Sequence, residues 1–215
     1  PNTFTLWPAM AAIEFHLQWA EGKKINWKRI INWSVISAIP VILGVSVQLL
    51  YNLARFDNLT DFGYVTVNAS DYILNKVQKY GIFNPRYVPF NFYWMFAGFS
   101  PNWVAKCSFY FTRGNGIGFL LTTPAFLYAI RKVKVNYWSV GVWISIILSM
   151  GMLLMYHNNG SVQITYRYVM DFSIPLIMII ASNAEENVSW PLRSLIVLSI
   201  MINYYSIISF FQGPC

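Results

Sequence analysis

The sequence has few charged residues for its length. Aspartate, glutamate, lysine and arginine make up 11% of the 215 residues, whereas their share in soluble domains is about 25%. Hydrophobic residues make up 56% of the chain. So few charges do not provide the hydrated surface that a soluble core needs. The composition therefore argues against a soluble domain and predicts an integral membrane protein.

Cysteine is scarce as well, and the charge that is present is mostly basic. The two cysteines, Cys107 and Cys215, are too few for a disulfide framework and lack the spacing of a metal site, so we expect no metal and no cofactor. The formal charge is +7, and the basic residues form short clusters between apolar segments. Loops at a membrane surface usually contain such clusters. We therefore expect membrane lipids as partners, and not nucleic acid.

The sequence contains several long apolar segments. The candidate membrane-spanning helices cover approximately residues 3–20, 30–53, 114–130, 138–155, 169–181 and 192–211. A helix needs about twenty apolar residues to cross a bilayer. The first candidate is the least regular, because Glu14, His16 and Gln18 interrupt it. The predicted fold class is an all-α integral membrane protein with about six transmembrane helices, in a single polytopic region over residues 1–215.

The charge of the connectors predicts the orientation of these helices. The connectors 21–29, 131–137 and 183–191 contain or border lysine or arginine, so the positive-inside rule places them in the cytoplasm. The connector HNNGSVQIT (157–165) contains neither residue, and it is predicted to lie outside together with the long segment 54–113. Both chain ends then lie outside, and we expect the protein in the plasma (inner) membrane.

The outer segment 54–113 is rich in aromatic residues and interrupted by prolines. Its second half reads NPRYVPFNFYWMFAGFSPNWVAKCSFYF. Tyrosine and tryptophan bury an apolar ring while a polar tip stays hydrated, so we expect short interfacial helices over 84–111 and no further span. The preceding SDYILNKVQKYG is typical of a short amphipathic helix that begins at Ser70 or Asp71 and ends at Gly81. The alternative interpretation is a solvated loop that clamps the helices.

Four stretches of the sequence together resemble one class of membrane enzymes. They are YNLARFDNLTDFGY (51–64), GIFNPRYVPFNFY (81–93), GNGIGFLLTTPAFLYAI (114–130) and ITYRYVMDFSIPLIMIIA (164–181). In this order they are similar to segments of polytopic GT-C class glycosyltransferases, and more narrowly to the bacterial and archaeal relatives of dolichyl-phosphate-mannose protein mannosyltransferases. A glycine usually follows the Arg-Phe pair of the first segment in that family, and here the residue is Asp57.

The resemblance implies a hexosyl- or mannosyl-type transferase. Such an enzyme moves a sugar from a polyprenyl- or dolichyl-phosphate carrier to a protein or glycolipid acceptor on the outer face, with inversion at the anomeric carbon. The catalytic acid of the family is an aspartate in the first outer loop, so this chain is expected to be the C-terminal part of a longer enzyme that has that aspartate. We do not assign the role to Asp57, Asp61 or Asp71, because outer carboxylates are more often helix caps or solvated charges.

Arginines at the outer ends of predicted spans are candidates for binding the carrier phosphate. A planar guanidinium group forms two parallel hydrogen bonds to phosphate oxygens, so convergence of several arginines predicts a phosphate site. Arg167 also lies within the Tyr-Arg-Tyr motif that carries the family resemblance. The candidate substrate-binding residues are Arg55, Arg113, Tyr166, Arg167, Tyr168 and Asp171.

Other interpretations of these residues remain open. An arginine near a helix end also snorkels to the interface without binding a ligand. Arg167 and Asp171 have the spacing of an ion pair on one helix face. At the level of function, the alternative is a transporter or a noncatalytic subunit of a membrane complex. Transporters place charges near the middle of broken helices and often contain repeated halves, whereas here the charges cluster at the interfaces and we find no repeat.

Overall fold

The computed structural model describes residues 5, 7–22, 24–59, 63, 71–99, 101–102, 110–111, 116–131, 135–160, 163–184 and 188–212. The α-helices within them are α1 (Trp7–Gly22), α2 (Trp27–Phe56), α3 (Asp71–Tyr80), α4 (Val88–Phe96), α5 (Phe119–Thr122), α6 (Tyr137–Met155), α7 (Met170–Asn183) and α8 (Trp190–Gln212). Short 3-10 helices cover Pro85–Tyr87, Pro124–Ile130 and Arg167–Val169. The two-residue strands β1 (Pro101–Asn102) and β2 (Tyr110–Phe111) pair in antiparallel fashion.

Three of these helices have the length and composition of membrane spans. They are α2 with 30 residues, α6 with 19 residues, and the Trp190–Ser209 part of α8 with 20 residues. These helices coincide with the predicted spans 30–53, 138–155 and 192–211. The chain is therefore a membrane protein of the all-α class, which confirms the coarser part of the predicted fold.

The other three predicted spans are not confirmed as continuous membrane helices. α1 has 16 residues and α7 has 14 residues, so they are about 24 and 21 Å long, less than the roughly 30 Å of a hydrocarbon core. In the predicted span 114–130, α5 ends at Thr122 and a 3-10 helix begins at Pro124. Pro124 has no N–H to donate to the preceding turn, which favours a break at this point. The six-span arrangement therefore stays a prediction.

Side chains of α8 satisfy backbone groups near this break. Nδ2 of Asn203 donates a hydrogen bond to the Thr122 carbonyl at 2.7 Å. The Ala125 N–H donates to Oγ of Ser199 at 3.2 Å. Irregular backbone is tolerated at membrane depth where neighbouring helices satisfy its polar groups. The break between α5 and the 3-10 helix is therefore supported by α8.

The hydrophobic core lies between α4, α5, α6 and α7. Its deeply buried side chains include Met95, Val142, Ile146, Phe172 and Ile179. α1 packs along α6 as well, and Thr5, just before α1, shares a hydrogen bond with the Ser149 hydroxyl of α6. α6 is thus the helix against which α1, α4 and α7 pack.

The polar residues of α1 are held by the start of α2. Oε1 of Glu14 lies 2.7 Å from Nε of Arg29 and accepts a hydrogen bond from Nε2 of Gln18 at 2.8 Å. Oε1 of Gln18 accepts from the Asn26 N–H, just before α2, at 2.8 Å. Glu14 and Gln18, which interrupt the first apolar segment, therefore join α1 to the start of α2. Both contacts lie at the predicted cytoplasmic ends of the two helices.

The outer segment begins with short helices, as predicted. α3 is followed by Gly81, whose φ is 77° and whose N–H donates to the Val77 carbonyl at 2.8 Å. Glycine is the residue that adopts this left-handed conformation at least cost. The prediction of helices throughout 84–111 is wrong for 101–102 and 110–111, which form β1 and β2. Pro101 lacks the N–H that a helix interior requires, and the two extended stretches bond each other instead.

Candidate functional site at the outer end of the helices

Two outer connectors meet at the end of α6. The Asn84 N–H donates to the Met155 carbonyl at 2.8 Å, and the His157 N–H donates to the Ile82 carbonyl at 2.9 Å. Phe83 and Tyr156, which lie between these two hydrogen bonds, form an antiparallel bridge. The segment before α4 and the segment after α6 therefore lie at the same end of the molecule, as their predicted placement on one side of the membrane requires.

Side chains of α3 and α4 cap the outer end of α6. Asn91 is 1% exposed, and its Nδ2 donates to the carbonyls of Leu154 at 2.9 Å and Tyr156 at 2.7 Å. Nζ of Lys76 donates to the His157 carbonyl at 2.8 Å. The last carbonyls of a helix have no partner within it, and a cation at that end also interacts favourably with the helix dipole. These bonds fix the outer segment against the membrane helix.

The Tyr166–Tyr168 part of the site is positioned by a second backbone contact. The Ile117 N–H donates to the Ile164 carbonyl, and the Tyr166 N–H donates to the Ile117 carbonyl, both at 3.0 Å. Tyr166 is 0% exposed. The 3-10 helix Arg167–Val169 follows and leads directly into α7. Tyr166 therefore anchors the turn in the core, and the turn presents Arg167 at the surface.

Glycines in the 114–118 stretch allow this close approach. Gly116 has a φ of 79°. A Cβ atom at Gly118 would lie 2.5 Å from the carbonyl oxygen of Phe96, and the Gly118 N–H donates to the Gly98 carbonyl at 2.8 Å. The two glycines thus serve contact between backbones, which is a different use of glycine from a nucleotide-binding loop.

Arg167 lies against a row of tyrosine rings. Its guanidinium carbon is 5.2 Å from the centre of the Tyr168 ring, and Nη2 is 3.5 Å from Oη of Tyr168. The Tyr168 ring packs edge-on against Tyr166 at 5.7 Å and Tyr156 at 6.1 Å. Arg167 belongs to the 3-10 turn and Asp171 to the first turn of α7. The 3-10 turn leads directly into α7, and an ion pair between the two residues stays an alternative prediction.

The loop around Arg167 contains buried polar atoms without a hydrogen-bond partner. Within the described part of the chain these include Nδ2 of Asn159, Oγ1 of Thr165 and Oη of Tyr166. Burial, reinforced by the neighbouring Tyr168, raises the pKa of Tyr166, so its phenol keeps its proton and remains a donor. Buried polar groups are nearly always bonded to protein or water. This loop therefore has hydrogen-bonding capacity for a polar ligand or for ordered water.

The electrostatics at the end of α6 favour a neutral histidine. Burial lowers the pKa of His157, the charge of Lys76 lowers it further, and the backbone hydrogen bond with Ile82 acts in the opposite direction. Burial also lowers the pKa of Lys76. Because a buried charge is costly, the imidazole is uncharged at neutral pH.

The other predicted arginines do not contact this loop in the described part of the chain. Nη1 of Arg55 donates to Oη of Tyr51 at 2.9 Å, and its guanidinium lies 5.2 Å from the Phe56 ring centre. Both contacts are within α2. Arg113 lies outside the described residues. Convergence of three arginines on one phosphate therefore stays a prediction.

Sequence analysis does not single out Asn91, Lys76 or His157. Asn91 is the one amide in the apolar helix VPFNFYWMF, and a lone amide in such a run is a signal for a buried cap. Lys76 fits the polar face of an amphipathic helix, so its pattern gives no indication of a partner. Its contact with His157 joins residues far apart in the sequence.

Comparisons with known proteins give no assignment for this site. Neither a protein-family model, nor a curated protein, nor a solved structure matches the chain. Among the described residues, no group of three or more histidine, cysteine, aspartate or glutamate side chains is placed to hold a metal ion. The chemistry of the site is therefore argued from the loop around Arg167 itself.

Proposed function

We propose that the chain is the C-terminal membrane part of a glycosyltransferase of the hexosyl or mannosyl type. Its donor is a polyprenyl- or dolichyl-phosphate sugar, its acceptor is a protein or glycolipid on the outer face, and its location is the plasma membrane. The observation that carries the proposal is the loop before α7. There the exposed Arg167 belongs to a connector that also contains buried polar atoms without partners, at the predicted outer end of the helices.

The loop has the chemistry that a lipid-linked phosphate requires. Arg167 offers a planar pair of donors for phosphate oxygens. Asn159 offers an unpartnered amide donor in the same connector, while Tyr166 anchors that connector in the core. The rings of Tyr156 and Tyr168 form an apolar wall next to the guanidinium, which suits the first isoprene units of the carrier. A phosphate at headgroup depth with its chain toward the bilayer fits this arrangement.

Phosphate binding at this loop also has a catalytic consequence. When the sugar leaves its carrier, negative charge develops on the departing phosphate, and a fixed cation and fixed donors stabilise that charge in the transition state. In this proposal Arg167 binds the leaving group. No residue of this chain is assigned the role of activating the acceptor.

The proposal predicts that Arg167→Lys weakens use of the donor although it keeps the positive charge. Lysine is a point charge and does not replace the bidentate fork. The loss of one charge-assisted hydrogen bond is about 1.5–3 kcal/mol, which is roughly tenfold or more in kcat/KM for the donor. The measurement is donor kinetics with the complete enzyme, together with its thermal unfolding.

Asp171→Asn is the matched control. If Arg167 serves a structural ion pair, Asp171→Asn lowers the melting temperature and Arg167→Lys leaves donor kinetics unchanged. Unchanged kinetics in Arg167→Lys would exclude the phosphate site. It would favour the alternative of a transporter or noncatalytic subunit.

A further inference from the structure

A second feature of the outer face is a groove between α3 and the Pro85–Tyr87 turn with α4. Its volume is about 430 Å³. Three basic side chains and three rings line it, together with Asn75: Lys76, Lys79, Arg86, Tyr80, Tyr87 and Phe90. Arg167 is not among the lining residues, so the chemistry of the groove depends on its own side chains.

The cations of the groove are arranged over its rings. Nζ of Lys79 and the guanidinium carbon of Arg86 lie 5.3 and 4.8 Å from the centre of the same Tyr80 ring. Nζ of Lys76 lies 4.7 Å from the Tyr87 ring centre. Rings attract cations, and they hold these side chains facing one space.

Within the described residues, no carboxylate neutralises the positive charge of the groove. No acidic side chain lines it, and within the described residues no carboxylate is in salt-bridge distance of these three cations. Like charges that share a partly apolar groove repel one another, so an anion in the groove is stabilised by all three. Lys76 is already bonded to the His157 carbonyl, which leaves Lys79 and Arg86 to make direct contacts.

Exposed rings beside the groove place it at the membrane surface. On α4, Phe90 is 49% exposed, Phe92 is 53% exposed and Tyr93 is 50% exposed. The same helix is bonded through Asn91 to the outer end of α6, which has the length of a membrane span. Exposed aromatic side chains at such a level belong to the interfacial belt, where lipid phosphates also lie.

We propose that this groove binds the phosphate group of an anionic phospholipid of the outer leaflet. Lys79 and Arg86 contact the phosphate oxygens, Lys76 adds to the field, and the acyl chains lie along the exposed rings of α4. The bound lipid holds α3 and α4 against α6 and has no part in sugar transfer.

The test measures which lipids the purified protein retains. The whole protein is placed in nanodiscs of phosphatidylcholine and phosphatidylglycerol, extracted gently, and its bound lipids are counted by native mass spectrometry. Wild type is expected to retain phosphatidylglycerol in preference to phosphatidylcholine. The Lys79→Gln/Arg86→Gln variant is expected to lower this preference by roughly 30-fold, because each basic residue near an anionic membrane surface contributes about fivefold.

The Lys24→Gln/Lys28→Gln variant is the control. It removes the same charge from exposed residues just before and within the first turn of α2. It is expected to keep the preference. Equal losses in the two variants would show a net-charge effect and would overturn the proposal, as would an unchanged preference in Lys79→Gln/Arg86→Gln. Displacement of the lipid by inorganic phosphate at equal concentration would overturn the lipid assignment and identify a soluble phosphate ligand. If the double variant does not fold, Lys79→Gln alone is measured in the same way.

Discussion

At the residue scale, Asp57 shows how one position departs from the pattern that the sequence resembles. It follows the Arg-Phe pair at the end of α2, where glycine is usual in the resembling family. Its φ is 52°, and its N–H donates to the Leu53 carbonyl at 2.9 Å. This left-handed conformation costs an ordinary residue roughly 1–2 kcal/mol, although aspartate tolerates it better than most. The backbone thus explains a preference for glycine without any ligand.

Asp57→Gly is therefore expected to stabilise the protein by about 0.5–1 kcal/mol, which is the relieved strain minus the larger chain entropy of glycine in the unfolded state. The measurement is the melting temperature in detergent. Ala54→Gly, at an exposed position inside α2, is the control and is expected to destabilise by about 1 kcal/mol. A lower melting temperature for Asp57→Gly would show that the aspartate side chain is needed at that turn.

The stability of the protein is expected to depend on pH through His157. The lowered pKa of this residue sets the direction of the change. Burial and the charge of Lys76 lower its pKa in the folded state below the ordinary 6.5. The unfolded chain then binds the proton more tightly, so the stability contributed by neutral His157 is complete above pH 6.5 and is lost as the pH falls below that value.

Thermal unfolding from about pH 7.5 to about pH 5 is the measurement, because this range brackets the unfolded pKa of histidine. Wild type is expected to lose more stability than His157→Gln over this range. Equal losses would mean that the pKa of His157 is the same in the folded and unfolded states, which would contradict the lowered pKa.

At the element scale, local signals account for the elements that sequence analysis predicts well. α6 begins at a capping box in which Asn136 and Ser139 bond each other's backbone, and its charge-free apolar run defines the span. α3 ends at Gly81. The break in 114–130 is different, because proline is tolerated inside many membrane helices. Whether the helix continues past Pro124 depends on Asn203 and Ser199, which are far away in the sequence.

Asn203→Leu tests this dependence. The variant removes the donor to the Thr122 carbonyl and leaves that group unpaired at membrane depth, so a loss of about 1–2 kcal/mol in unfolding free energy is expected. Met201→Leu, at an exposed position of α8, is the control and is expected to be neutral. If the two variants unfold alike, α8 does not support the break.

At the scale of the whole molecule, the charge of the connectors predicts that 54–113 and 157–165 lie on one side of the membrane. The contacts of Asn84 with Met155 and of His157 with Ile82 show that the two connectors meet at one end of α6, and the side of the membrane on which that end lies stays a prediction. The pairing of Lys76 with His157 does not follow from a local pattern, and the lone amide of Asn91 indicates a cap but not the helix that it caps. Among the described residues, no contact joins Arg55 to Arg167, so their convergence on one phosphate stays a prediction.

In the proposed function, Arg167 holds a lipid-linked phosphate at the predicted outer end of the molecule. The decisive measurement is the equilibrium binding of a polyprenyl phosphate and of the matching polyprenol, which lacks the phosphate. We expect the phosphate form to bind at least tenfold more tightly, since one charge-assisted bond is about 1.5 kcal/mol or more. We also expect Arg167→Lys to remove most of this difference and Lys79→Gln/Arg86→Gln to leave it in place. Equal binding of the two lipids to the wild-type protein would exclude phosphate binding by Arg167.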